Sequence, residues 1–125
     1  MSKTIEGNFD DTIAKVTELL SEEGFGVLTE IDVRKTMKKK LDIDFKNYVI
    51  LGACNPTLAL RAFQAEDKVG VILPCNVIVI DQGEGKIEVA AMDANNMMDH
   101  IGNADLNVLA LEATERLTRV LDKIK

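Results

Sequence analysis

Apolar residues recur at helical spacing in three parts of the chain. Steps of three and four residues from Phe9 to Leu20 predict an amphipathic helix, which Asn8 can cap and Gly24 can end. A second helix is predicted after Asn55-Pro56, with Leu58, Ala59, Ala62 and Phe63 on its buried side and its end near Glu66. The same spacing from residue 106 to residue 124 predicts a longer, closing helix.

Other segments have the two-residue alternation or the β-branched composition of strands. Residues 25–34 alternate most regularly, and residues 46–53 form a β-prone run that is expected to be a central strand. Pro74 cannot donate a hydrogen bond to a sheet, so the next strand is predicted to start at Cys75. Strands are therefore predicted at residues 3–7, 25–34, 46–53, 75–80 and 86–92, with a hairpin turn at 81–85.

The order of these elements predicts the fold class. Strands and helices do not alternate strictly, and one hairpin is evident, which favours an α+β fold over a doubly wound sheet. We expect residues 1–125 to form a single compact α+β domain, with a mostly antiparallel or mixed sheet packed against helices. Residues 35–41 are predicted to be a helical turn or a loop, and residues 93–103 a polar connection.

Composition and charge restrict the possible partners. The formal net charge is −6 and the pI is about 4.8, which argues against binding to DNA or RNA, because phosphate backbones are bound mainly through cationic side chains. The chain begins with polar residues and has no export signal, and its longest apolar stretch is interrupted at residues 74–76. We therefore expect a cytoplasmic protein that does not bind membranes, in which both cysteines are reduced.

The most unusual local feature is a repeated dipeptide, Cys54-Asn55 and Cys75-Asn76, next to Pro56 and Pro74 respectively. Each pair lies at a predicted strand end, and Cys54 precedes a helix whose N-terminus could stabilise a thiolate or an anion. Packing alone also explains both cysteines, since a buried Cys behaves as a small apolar residue. The spacing lacks a C-x-x-C pair, so no metal site is predicted, and no cofactor is assigned.

Three further features have simpler explanations than chemistry. His100, the only histidine, is predicted to be an exposed loop residue, because no paired nucleophile is visible near it. The basic run at residues 34–40 has acidic neighbours on both sides, which predicts a solvated surface. Gly83-Glu84-Gly85 precedes no helix, so it predicts a hairpin turn instead of a phosphate-binding loop.

Two separated motifs resemble a known family. Gly52-Ala53-Cys54-Asn55-Pro56 and Leu73-Pro74-Cys75-Asn76 are similar to the signature stretches of the domain of unknown function 302 family, and the similarity extends over nearly the whole chain. The chain is most similar to the branch with cysteine in both motifs. The resemblance implies a compact α+β fold, a homodimer and no established activity. Its candidate site residues in this chain are Gly52, Cys54, Asn55, Pro56, Leu73, Pro74, Cys75 and Asn76.

Three functions are compatible with the sequence. The first is a cytoplasmic homodimeric binding or regulatory module, with a small anionic or apolar ligand in a cleft bordered by the two motifs. The second is an enzyme or redox protein in which Cys54 or Cys75 is a reactive thiolate. The third is a structural or interaction protein that dimerises through a helix face or an edge strand and has no ligand.

Overall fold

A computed structural model of the chain describes all 125 residues. The strands are β1 (Ser2–Glu6), β2 (Gly26–Asp32), β3 (Tyr48–Cys54), β4 (Cys75–Gly83) and β5 (Lys86–Ala91). The helices are α1 (Phe9–Glu22), α2 (Val33–Leu41), α3 (Pro56–Ala65), α4 (Ala94–Asp99) and α5 (Ala104–Lys123), and a 3₁₀ helix spans Asp67–Ile72.

The five strands form one antiparallel sheet in the order β1-β5-β4-β3-β2. Alternate side chains of the three inner strands are buried in a single core together with the apolar sides of α1, α3 and α5. Leu20 and Leu117 are among the fully buried helix residues, and Leu51 and Val79 are their counterparts on the sheet. The predicted α+β class is confirmed, including the closing helix.

Asparagine side chains start three of the helices. The side-chain oxygens of Asn8, Asn55 and Asn103 accept hydrogen bonds from backbone N–H groups in the first turns of α1, α3 and α5. These N–H groups have no partner within the helix, so the caps determine where each helix begins. The starts predicted at Phe9 and at Pro56 are confirmed.

A β-bulge changes the predicted pattern of β2. Val27 pairs with Ala53 but Thr29 pairs with Gly52, so the register shifts by one residue between them. The expectation that alternate residues face the same side throughout residues 25–34 is therefore wrong. Phe25 and Val27 face the core, whereas Thr29 and the residues after it are turned over, because the bulge inserts one extra residue.

Local sequence also failed to predict several details. Residues 35–41 belong to a regular helix, α2, and the connection at 93–103 contains α4. Asp32 caps α2 and Asp93 caps α4. These capping residues mark the helix starts, but the spacing of apolar residues does not reveal them. Phe63, which was expected on the buried side of α3, is 46% exposed.

None of the helices combines the length and the apolar composition that are needed to cross a bilayer.

Candidate functional site

The two Cys-Asn motifs meet at one end of the sheet. β3 runs antiparallel to β4, with Ala53 opposite Cys75 and Gly52 opposite Asn76. The last residues of β3 are therefore adjacent to the first residues of β4, although about 20 residues separate them along the chain. Antiparallel pairing is what brings Cys54 and Cys75 to the same region.

A cleft of about 50 Å³ opens beside this end of the sheet. Its walls come from the two motifs, from α3 and from α4 and α5. Six of the lining residues are alanines, whose short side chains leave space between the helices and the sheet. The lining residues are Phe25, Ala53, Cys54, Asn55, Leu58, Ala59, Ala62, Leu73, Pro74, Cys75, Ala94, Met98, Leu109, Ala110 and Ala113.

The wall of the cleft is apolar. Thirteen of its 15 lining residues are hydrophobic, and none is Asp, Glu, Lys, Arg or His. Without a cation in the wall, an anionic group inside the cleft would lose its hydration and gain no charge partner. Such a cavity favours a small neutral ligand, and its polar contacts are limited to Asn55, the two thiols and the backbone.

Both thiols are held in the neutral form. Burial raises the pKa of Cys54, and it raises the pKa of Cys75 to about 11, with the neighbouring Cys54 thiol adding to the effect. Cys75 is buried, whereas Cys54 is partly accessible. A nucleophilic thiolate needs a lowered pKa, so the direction of both changes is opposite to what thiol catalysis requires.

The side chain of Asn55 has a structural role, because it caps α3 and contacts the end of α1. Its Oδ1 accepts a hydrogen bond from the N–H of Leu58 at 3.2 Å, and its Nδ2 lies 3.5 Å from the carbonyl oxygen of Glu23. Arg116 donates to the same carbonyl at 2.8 Å. Asn55 and Arg116 thus connect α1, α3 and α5 at the side of the cleft, and they fix the helix that forms one of its walls.

Gly52 and Pro74 form a tight contact next to the cleft. A Cβ atom at Gly52 would overlap the hydroxyl of Thr29 and would lie only 2.9 Å from Cγ of Pro74. Glycine is therefore required at this position by the close approach of its two neighbours. The Leu73-Pro74 peptide bond is cis, and both residues line the cleft.

The cleft includes only part of the predicted site. Cys54, Asn55, Leu73, Pro74 and Cys75 line it. The other three candidates do not line the cleft. Gly52 packs closely against Pro74, which does line it, Asn76 is exposed, and Pro56 borders a separate polar depression.

His100 is exposed at the end of α4, and it is not part of the cleft wall that contains both cysteines. The Met97-Met98 pair is divided, with Met98 buried in the cleft wall and Met97 exposed. The chain contains no group of three or more His, Cys, Asp or Glu side chains that could hold a metal ion.

Sequence reasoning did not identify the helical half of the cleft. The pattern of α5 predicted that Leu109, Ala110 and Ala113 would be core residues, which they are, but it did not show that a space lies beside them. The pairs Ala59/Ala62 and Ala110/Ala113, three residues apart on α3 and α5, were the available signal. Two alanine-rich helix faces that meet leave a gap unless a large side chain fills it.

Comparison with known proteins agrees with the resemblance seen in the motifs. A crystal structure described as an uncharacterized conserved protein DUF302 from Bacillus stearothermophilus is 29% identical to this chain, with a TM-score of 0.87. The match covers 99% of this chain and 98% of the other. No curated protein matches the chain significantly. The model of the family described as domain of unknown function DUF302 matches residues 1–124, so the chain belongs to that family.

Proposed function

We propose that the protein is a small binding or regulatory module that holds a neutral, apolar ligand in the cleft between the two Cys-Asn motifs. The observation that carries the proposal is the wall itself: two distant segments of the chain and three helices enclose one apolar space without a charged side chain. Pockets that bind small molecules typically have such walls, with few polar groups to orient the ligand.

The size of the cleft restricts the ligand further. A volume of about 50 Å³ accommodates a group of a few heavy atoms, and larger ligands require α3 and α5 to move apart. The sequence left two kinds of ligand open, an anionic one and an apolar one, and the apolar ligand fits this wall. The anionic alternative was based on the N-terminus of α3, where Arg116 already binds Glu112 and the carbonyl of Glu23.

The proposal includes a cytoplasmic location and a homodimer. An acidic surface and two unpaired thiols are typical of proteins in a reducing compartment, and fractionation of cells that produce the protein tests this part. A homodimer would be consistent with the exposed apolar residues of the sheet and of the segment after α2.

The thiol-enzyme alternative receives no support from the site. Its requirement is an acidic thiolate, and burial changes the pKa of both cysteines in the opposite direction. The third alternative, an interaction protein without a ligand, predicts that protein purified from its source cells carries no small molecule in the cleft. The experiment below distinguishes it from the ligand-binding proposal.

Xenon is a suitable probe, because it is neutral and apolar and occupies small dry cavities. We expect xenon pressure to shift the amide NMR signals of residues around the cleft, including Met98 and Ala110, with saturation as the pressure rises. Replacement of Ala59 by Leu should fill the space and remove the shifts. Native mass spectrometry of protein purified from its source cells should then show a retained small neutral molecule that Ala59→Leu lacks.

A second variant tests the motifs. Cys54→Ser changes an apolar lining thiol to a polar hydroxyl, and we expect it to fold normally and to bind xenon or the retained molecule more weakly. Unchanged affinity in Cys54→Ser, or xenon shifts that persist in Ala59→Leu, would contradict the proposed location of the ligand.

A further inference from the structure

The short helix α4 forms part of the cleft wall, and few interactions hold it there. Ala94 and Met98, which lie one helical turn apart, both line the cleft. They are the only buried residues between positions 93 and 102, a stretch that we call the lid segment. Its other residues are exposed or half-buried, and α4 packs mainly against α5.

No hydrogen bond connects the lid segment to another element of the fold. Asp93 accepts hydrogen bonds from the N–H groups of Asn95 and Asn96, which both belong to the segment. The N–H of Ile101 donates to the carbonyl oxygen of Met98, which also belongs to it. A helix as short as α4 is not stable by itself, so its position depends on the two buried side chains.

Fixed points lie directly before and after the lid segment. The N–H of Met92 donates to the carbonyl oxygen of Asn76 at 3.1 Å, which holds the chain to β4. On the other side, Nδ2 of Asn103 donates to the carbonyl oxygen of Ala65 at 3.1 Å, which joins the start of α5 to the end of α3. The lid segment is therefore anchored at its two ends and not between them.

A ligand can enter or leave the cleft only if part of the wall moves. None of the residues that line the cleft is exposed, and most of them are buried. Strand pairing fixes the wall that the sheet provides, and Asn55 and Arg116 connect α1, α3 and α5. The lid segment is the part of the wall that can open with the loss of the fewest interactions.

Met98 and Gly102 are suited to such a movement. The side chain of Met98 is unbranched and has three rotatable bonds, so it can leave the cleft wall and return to it without a single required shape. Gly102 has a φ of +73°, and no heavy atom lies within 4 Å of the place that a Cβ would take. An alanine there would penalise the backbone of the closed segment without disturbing a side-chain contact.

We propose that the lid segment is the gate of the cleft. It moves outward to admit or release the ligand, with Met98 as the side chain that closes the wall and Gly102 as the hinge. The inference rests on the proposed function, and it adds the route by which the ligand exchanges. Because the closed form predominates, the gate determines the rate of exchange, whereas the closed cleft determines the affinity.

Replacement of Gly102 by alanine tests the gate, with xenon as the probe. In Gly102→Ala we expect xenon to exchange at least about fivefold faster than in the wild-type protein, because a residue with a Cβ is disfavoured at positive φ. The exchange rate is read from the broadening of amide NMR signals around the cleft. The xenon pressure at which the shifts saturate should stay the same.

The hairpin between β4 and β5 offers a matched control. Gly85 has a φ of +74° and the same open space around its Cβ position, but it lies in the turn of the hairpin, outside the lid segment. Gly85→Ala should lower the overall stability to a similar extent and leave the xenon exchange rate unchanged. Gly102→Asn should remain close to the wild-type rate, because asparagine tolerates positive φ.

Hydrogen exchange gives a second readout that requires no ligand. The backbone amides of α4 should exchange at least about fivefold faster in Gly102→Ala than in Gly85→Ala, whereas the amides of α3 should exchange equally in both variants. Met98→Ala should also accelerate exchange in α4, because it removes most of the buried side chain that holds the helix. Met97→Ala, at a position that is 42% exposed, should not.

The two proposals fail separately. Equal xenon exchange rates in Gly102→Ala and Gly85→Ala, or equal hydrogen exchange of α4 in both, would overturn the gate and leave the ligand proposal intact. An absence of xenon shifts in the wild-type protein would contradict the ligand proposal. Faster hydrogen exchange of α4 in Gly102→Ala would in that case still support the opening of the lid segment.

Discussion

Gly52 is the position where a single methyl group should have the largest effect. In Gly52→Ala the added Cβ would overlap the hydroxyl of Thr29 on β2 and would lie 2.9 Å from Cγ of Pro74. Neither neighbour can move freely, since the β-branched side chain of Thr29 is restricted in its rotation about χ1, and Pro74 is held by its ring directly before β4. The strand must therefore shift, or the contact must remain compressed.

Overpacking of this kind costs about 1–3 kcal/mol of unfolding free energy. For a domain of this size it corresponds to a fall in Tm of roughly 3–15 °C. We would measure the free energy by urea denaturation followed by circular dichroism, together with the Tm. Because Pro74 lines the cleft, we also expect Gly52→Ala to reduce the xenon shifts there.

Two variants serve as controls. Gly26→Ala adds the same methyl group to the neighbouring strand, where no heavy atom lies within 4 Å, and should change stability by less than about 0.5 kcal/mol. Thr29→Ala combined with Gly52→Ala removes one of the two overlaps and should recover part of the lost stability. If Gly52→Ala were as stable as Gly26→Ala, the tight contact at Gly52 would be refuted.

Three further predictions concern the residues around the site. Asn55→Ala should cost about 1–2 kcal/mol of unfolding free energy through loss of the α3 cap, whereas Asn55→Ser retains an acceptor and should cost less; equal losses would argue against capping. Alkylation of Cys54 and Cys75 in the native protein should be slow at neutral pH and faster above pH 9, with Cys54 modified first. Rapid modification of either cysteine at pH 7 would instead support the thiol-dependent enzyme. The hydrogen bond from Arg119 lowers the pKa of Glu23, so the stability that this bond provides is present at neutral pH and is lost as the pH falls through the lowered pKa. The Arg119→Gln variant should therefore unfold at a higher pH than the wild-type protein during acid titration. An unchanged unfolding midpoint would contradict this.

Local patterns in the sequence were sufficient to predict most elements, because helix caps and apolar spacing act over a few residues. Asn55-Pro56 defined the start of α3, and the spacing of α5 identified its buried side. The two motifs also indicated the family, which comparison of the whole chain confirmed. Hairpin chemistry around Gly83 and Gly85 predicted the pairing of β4 with β5.

Only the tertiary structure decided which residues surround a common space. The bulge in β2 reversed the faces of Thr29 and Ile31, and it placed Thr29 over Gly52. A register shift depends on pairing with a distant strand, so local alternation cannot reveal it. The cleft likewise requires α3, α5 and the ends of β3 and β4 to approach, and its volume is the space that their alanines leave unfilled. The pKa of Cys75 depends on the same packing, because desolvation is a property of the folded chain and not of the Cys-Asn dipeptide.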